Sequence, residues 1–206
     1  QKTAYEIRNC DWSSDVCSSD LPKTRLVLRR AQTFSVTGPE RQRAERYLKT
    51  ITADCGADEC YDLRIDEAIP PHAGLGSGTQ LALAVGSAFA ALEGLGLEPQ
   101  EIAERLGRGA RSGIGIATFA EGGAVLDSGP VEGRLPTLVS RVPFPAEWRV
   151  ILIFDDESKG LAGASEAAAF EGLPGFSARQ AETLSQRIAQ GALPALAAAE
   201  IGRAHV

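Results

Sequence analysis

Residues 69–94, IPPHAGLGSGTQLALAVGSAFAALEG, constrain this chain more than any other stretch. A strand is predicted to stop at Pro70-Pro71, since proline has no N–H to give a ladder. A loop bearing Gly74, Gly76 and Gly78 follows, and then an Ala- and Leu-rich helix from about Thr79 to Leu92. Glycine lets backbone N–H groups approach an anion closely, and the helix N-terminus adds unsatisfied donors and the positive end of a dipole. Phosphate is the natural guest of such a loop. Ser77 and Thr79 supply hydroxyls able to reach a phosphate or a magnesium ion. The same pattern also serves a tight turn with a Ser or Thr cap, so taken alone it leaves both readings open. It is not a Walker loop, because no GK[ST] closes it, and GLGSG does not fit GxGxxG.

The flanking segments predict an α+β layout. TRLVLRR alternates Leu26 and Leu28 with Arg25 and Arg29, TFSVTG alternates around Phe34 and Val36, and YDLRIDE places Tyr61, Leu63 and Ile65 on one face. Between them, PERQRAERYLKTITADCG reads as a helix with Pro39 in its first turn, a stripe of Ala44, Tyr47, Leu48 and Ile51, and a stop at Gly56. Past Trp148, RVILIF is predicted to be a strand with Trp148 in the core at its start, and the Ala-rich stretches after it are predicted to be helical. No internal repeat interrupts this order.

With 44% hydrophobic and 23% charged residues and a net charge of −6, the chain can bury a core, and its acidic balance argues against a broad nucleic-acid surface. No run approaches the roughly 18 apolar residues of a membrane span, and a cytoplasmic location is the default expectation. Cys55 and Cys60 lack the spacing and the partners of a zinc site and read as reduced thiols. The two ends are different in kind. Asp15 to Asp20 can be written GAC GTG TGC TCT TCC GAT, whose reverse complement translates as IGRAHV, residues 201–206. Residues 1–21 and 201–206 are therefore expected to derive from a sequencing adapter and to carry no weight in the fold, which removes Cys10, Trp12, Cys17 and His205 from functional consideration.

PPHAGLGSGTQLALAVG resembles the phosphate-loop motif of the GHMP kinase superfamily, in the form found in β-ribofuranosylaminobenzene 5'-phosphate synthases. The likeness runs on through RSGIGIATFAEGGAVLDSG, VPFPAEWRVIL and KGLAGASEAAAF, strong across residues 61–200 and weaker across 22–60. It implies an α+β, GHMP-kinase-like N-terminal domain over 22–147 and the opening of a partial second α+β domain over 148–200. It also implies decarboxylating transfer of a ribosyl group from phosphoribosyl pyrophosphate to a para-substituted benzoate, 4-aminobenzoate or 4-hydroxybenzoate, on the way to tetrahydromethanopterin-type cofactors. Mg²⁺ is the expected cofactor, a homodimer is compatible with the likeness, and neither nucleic acid nor membrane is an expected partner. On this reading His72, Gly74, Gly76, Ser77, Gly78, Thr79 and Gln80 bind phosphate, Arg111, Ser112 and Asp127 are catalytic, and Ser77 and Asp127 hold the metal. Arg111 and Arg141 are the guanidinium candidates for a benzoate or a second phosphate, although either could be a solvated surface group. Asp127 could equally cap the turn before Gly129-Pro130, and His72 could be an ordinary hydrogen-bonded loop residue. The kinases of the superfamily carry an SGxD motif, whereas this chain reads Ser112-Gly113-Ile114-Gly115. That difference favours the transferase over the alternative, an ATP-dependent small-molecule kinase.

Overall fold

The computed structural model describes residues 4–9, 22–154, 160, 164–175, 177–200 and 202. Its sheet contains β1 (Ala4–Asn9), β2 (Thr24–Ala31), β3 (Ser35–Thr37) and β4 (Cys60–Glu67) in the order β1-β2-β4-β3. β1 and β4 run antiparallel to β2, while β3 runs parallel to β4. The parallel pair is possible because α1 (Arg41–Asp54) supplies the crossover between them.

The alternation in the sequence fixes which sheet face is dry. Leu26, Leu28, Tyr61, Leu63 and Ile65 are buried under the helices, and the residues between them form a wet face of cross-strand ion pairs. Arg29 opposite Asp62 and Arg25 near Glu67 both pair at 2.7 Å. α1 lays Ala44, Leu48 and Ile51 onto the dry face. It begins at Arg41, with Pro39 in the turn before it and Glu40 at φ 56, so proline ends the approach to the helix instead of opening its first turn.

α2 (Ser77–Glu93) is apolar all round and buries ten residues, from Leu81 to Leu92. A helix without a polar stripe has to be covered on every side. The sheet covers it below, and α1, α3 (Pro99–Arg105) and α4 (Ile114–Glu121) surround the rest. α3 comes in closely because Ile102 occupies the space where a side chain at Gly86 would stand. A two-stranded ribbon of β5 (Ala124–Asp127) and β6 (Leu138–Val142) follows, and then α5 (Ala164–Glu171), α6 (Ala178–Arg187), one π-helical turn and α7 (Leu193–Ala197). Cys55 and Cys60 are free and half-buried, as expected of reduced thiols.

Three expectations are corrected. Ala4–Asn9, set aside as adapter-derived, forms the sheet's edge strand and lies against α2. Backbone pairing asks only for an extended segment at an open edge, and Tyr5 and Ile7 supply a period-two pattern that suits it. The adapter reading of residues 10–21, 201 and 203–206 falls outside the described residues. Second, Arg149–Phe154 is not a strand: it has no regular structure, and Ile151 and Ile153 are 84% and 92% exposed. An apolar run becomes a strand only where a neighbour takes its N–H and C=O groups, and no described strand lies beside this one. Third, Trp148 is only half-buried and meets Phe144 edge to face with centroids 5.9 Å apart, a local contact outside the main core.

Removing residues 1–21 should uncover the β2 edge and one flank of α2. The thermal midpoint is expected to fall by several degrees, each kcal/mol being worth about 2–4 °C in a domain of this size. An unchanged or higher midpoint in a thermal melt would show that the edge strand adds nothing.

Candidate functional site

The loop from β4 to α2 reverses the chain through left-handed backbone at His72 (φ 60), Gly74 (φ 74) and Gly76 (φ 65). Gly76 is the N-cap residue of α2. Its carbonyl accepts the N–H groups of Thr79 and Gln80 at 2.9 and 3.1 Å, and no side chain caps this helix end. The first N–H groups of the helix are thus left facing outward, the arrangement that binds anions. Among the described residues, a Cβ placed at Gly74 or Gly76 would find no atom within 4 Å. As far as the described residues go, the absence of side chains at these two glycines leaves space above the loop.

A second helix start abuts the first. Gln80 Nε2 donates to the carbonyl of Gly115 at 2.8 Å, and a Cβ on Gly115 would come within 3.2 Å of Thr79 Cγ2. The positive ends of α2 and α4 are consequently neighbours. The turn into α4 is held by Asp127, whose Oδ2 accepts from Gly113 N at 2.6 Å and Ser112 Oγ at 2.9 Å while Oδ1 accepts from Gly129 N at 3.0 Å. Burial pushes this carboxyl toward its neutral form, but the hydrogen bonds from Gly129, Ser112, Gly113 and Ile114 outweigh it and hold Asp127 below the usual carboxylate range.

The predicted site residues thus fall into distinct groups. Gly74, Gly76, Ser77, Gly78, Thr79 and Gln80 line the open loop and the first turn of α2, with Thr79 and Gln80 locked against α4. His72 is exposed, and its carbonyl lies where Gly160 passes, so glycine is needed there for backbone to meet backbone. Arg111 is exposed in the turn before Ser112. Ser112 and Asp127 come together, but as a brace for the α4 turn, and Asp127's hydrogen bonds do not run to Ser77. Arg141 is reassigned: its Nε donates to the carbonyls of Glu121 and Gly122 at 3.1 and 3.0 Å, closing the C-terminus of α4. A cation completing a helix end in this way serves the fold.

Sequence reasoning missed Arg43 and Arg108. α3 ends in a Schellman motif, in which Gly107 at φ 62 donates to Glu104 O and Arg108 N donates to Ala103 O at 2.7 Å. That turn sends the Arg108 side chain back to α2, where its Nη2 lies 3.2 Å from Thr79 Oγ1. Arg43, in the first turn of α1, reaches the same helix turn, its Nη1 3.8 Å from a Cβ built on Gly78. The Leu-Gly-Arg run at 106–108 announces the helix stop, but nothing local announces where the arginine then points.

A magnesium site built wholly from protein does not fit this donor set. Among the described residues no three His, Cys, Asp or Glu side chains gather to hold a metal, and both oxygens of Asp127 are already engaged. No described helix is long and apolar enough to cross a membrane.

Residues 42–123 match the family described as GHMP kinases N terminal domain. The chain is 32% identical over 171 residues to the beta-ribofuranosylphenol 5'-phosphate synthase of Methanothermobacter thermautotrophicus, covering 77% of this chain and 51% of that protein. It is 35% identical over 165 residues to the protein of the same name from Archaeoglobus fulgidus, covering 73% and 51%. The chain therefore spans about half the length of the curated relatives it matches. Among solved structures, homoserine kinase from Cytophaga hutchinsonii superposes with a TM-score of 0.61 at 16% identity, covering 97% of this chain and 69% of that one. A homoserine kinase structure from Listeria monocytogenes gives 0.52 at 16%, covering 88% and 64%. At these identities the two structures speak for the fold alone.

Asp127→Asn should test the brace. Because the folded carboxyl is held below its ordinary value, its stabilisation is present above the unfolded pKa and is lost as pH falls through the folded one. Thermal melts are expected to show the variant several degrees less stable at pH 7, with the gap closing as acid protonates the Asp127 carboxyl in the folded protein. A gap that persisted into acid would mean that the charge of Asp127 is not what holds the turn.

Proposed function

We propose that this chain, a member of the GHMP kinase superfamily related to the beta-ribofuranosylphenol 5'-phosphate synthases, comes from a decarboxylating phosphoribosyl transferase. The donor is phosphoribosyl pyrophosphate and the acceptor a para-substituted benzoate. The name of the relatives favours 4-hydroxybenzoate, since loss of carbon dioxide from that ring leaves a ribosylated phenol. Its product would serve a tetrahydromethanopterin-type cofactor, and its setting would be the cytoplasm. The division into a domain over 22–147 and the start of another over 148–200 belongs to the same proposal.

The chemistry asks little of the protein beyond charge and position. The bond from ribose C1 to the pyrophosphate oxygen breaks, and its electron pair leaves with the pyrophosphate. The ring carbon bearing the carboxylate forms a bond to C1. The carboxylate carbon then departs as carbon dioxide, returning its bonding pair to the ring and restoring aromaticity. No oxidant and no phosphoryl acceptor is required. Negative charge grows on the leaving group, and donors fixed in advance stabilise it better than water can, because they need no reorganisation. The outward N–H groups at Gly76–Gly78 and the adjoining starts of α2 and α4 would supply those donors. Mg²⁺ would enter with the pyrophosphate as its counter-ion, and Arg111 would meet the benzoate carboxylate or a phosphate.

The observation that carries this reading over a kinase is Gly115 packed against Thr79. The position where the superfamily's kinases hold their SGxD aspartate has no side chain here and little room for one. Asp127, the carboxylate nearest that turn, accepts hydrogen bonds from Ser112, Gly113 and Gly129 and is held in its charged form, which makes it a poor proton acceptor.

Carboxyl-labelled 4-hydroxybenzoate given to the whole protein with phosphoribosyl pyrophosphate and Mg²⁺ is expected to lose its label as carbon dioxide, in step with pyrophosphate release and without ATP. Retained label together with ATP-dependent phosphorylation of an alcohol would establish the kinase instead.

A further inference from the structure

Two guanidinium groups from different elements converge on the first turn of α2. A Cβ built on Gly78 would stand 3.1 Å from Arg108 Nη2 and 3.8 Å from Arg43 Nη1. Since Cα–Cβ bonds in a helix tilt toward its N-terminus, groups at that spot flank the open end of the helix. The charges there do not balance. Arg43 pairs with Glu40 at 3.3 Å, while the side-chain partner of Arg108 is a neutral hydroxyl, Thr79 Oγ1. Arg108 Nε is buried without a hydrogen-bond partner. Like charges side by side at the positive end of a helix repel one another, and a dry Nε adds a desolvation cost. An arrangement that spends stability in this way is explained by an anion that satisfies both forks at once. Packing alone would not select two arginines there.

We propose that Arg43 and Arg108 form a clamp for the second phosphoryl group of a pyrophosphate-bearing ligand, while the Gly74–Gly78 backbone and the start of α2 take the first. The clamp rests on the reading of that loop as a pyrophosphate site and makes it selective: a single phosphate fills the loop, and only a diphosphate also reaches the arginines. Gly78 is glycine because a side chain there would stand between the two guanidinium groups.

Calorimetric titration of this chain with inorganic pyrophosphate and with orthophosphate tests the clamp, using Arg43→Gln, Arg108→Gln, Arg108→Lys and Gly76→Val. Each glutamine variant is expected to lose about tenfold to a hundredfold in pyrophosphate affinity, the range for a lost hydrogen bond to a charged group, with orthophosphate affinity little changed. Arg108→Lys, which keeps the charge but not the fork, should fall between. Gly76→Val should weaken both anions. If the glutamine variants weaken both anions equally while melting earlier, the arginines merely support the loop and the clamp is refuted. If Gly76→Val abolishes pyrophosphate binding while both glutamine variants bind normally, the clamp falls and the loop reading stands. If the unaltered chain binds no pyrophosphate, both fall. Arg43→Gln gives up only the ion pair to Glu40, so it decides the matter by itself should Arg108→Gln fail to fold.

Discussion

The fold and its site both depend on burying one helix that has no polar face. α2 offers water only its ends and a few small positions, so a sheet, α1, α3 and α4 must enclose it. Enclosing a helix leaves its N-terminus as the place where the surrounding connections meet: the β4–α2 loop, the start of α4 and the stop of α3 all arrive there. A helix start that is crowded by loops yet capped by no side chain concentrates unsatisfied N–H groups at one point. The proposed anion site would thus be a consequence of how the core is closed.

Most of the layer structure was legible because it is written in short-range periodicity. Period two in TRLVLRR and YDLRIDE gave β2 and β4 with the correct dry face, and the Ala44, Leu48, Ile51 spacing gave α1. The Gly74–Gly78 loop and the end of α2 were equally plain, while α2 starts at Ser77, ahead of the expected Thr79. What failed had its determinants elsewhere in the chain or in a partner. RVILIF has a strand's composition, but composition cannot provide a neighbour to pair with. AYEIRN pairs because β2 has a free edge, which is a property of β2 and not of residues 4–9. Arg43 and Arg108 lie 65 positions apart in the numbering, and only the packing of α1 and α3 around α2 brings them together.

Asp127 shows why a residue type in a motif does not fix a role. Aspartate beside Ser-Gly and Gly-Pro suits a metal ligand, a catalytic group or a turn cap, and the sequence allowed all three. The geometry gives it the backbone N–H groups of Gly113 and Gly129 and the hydroxyl of Ser112. A carboxylate so engaged stays ionised and stays in place, qualities that suit a brace and count against a general base. Arg141 follows the same logic at the other end of α4, where two carbonyls take its donors.

On the proposed function, one fold would host phosphoryl transfer in some proteins and glycosyl transfer in others. Both reactions need an anion held at the start of α2, so the loop and the buried helix can be shared. A kinase must also manage the proton of an accepting hydroxyl, which calls for a carboxylate free to act beside the site. A decarboxylating ring attack has no such proton to manage, because the departing carboxylate carbon returns its own electron pair to the ring. Gly115, where the resemblance would put a kinase's aspartate, therefore lacks a group the proposed reaction would not use, and lets α4 close on Thr79 and Gln80. With α4 drawn in, the starts of two helices are neighbours, and Arg43 and Arg108 lie beside the first turn of α2. If the proposed function holds, a site arranged in that way would favour the departure of a diphosphate over the activation of an alcohol.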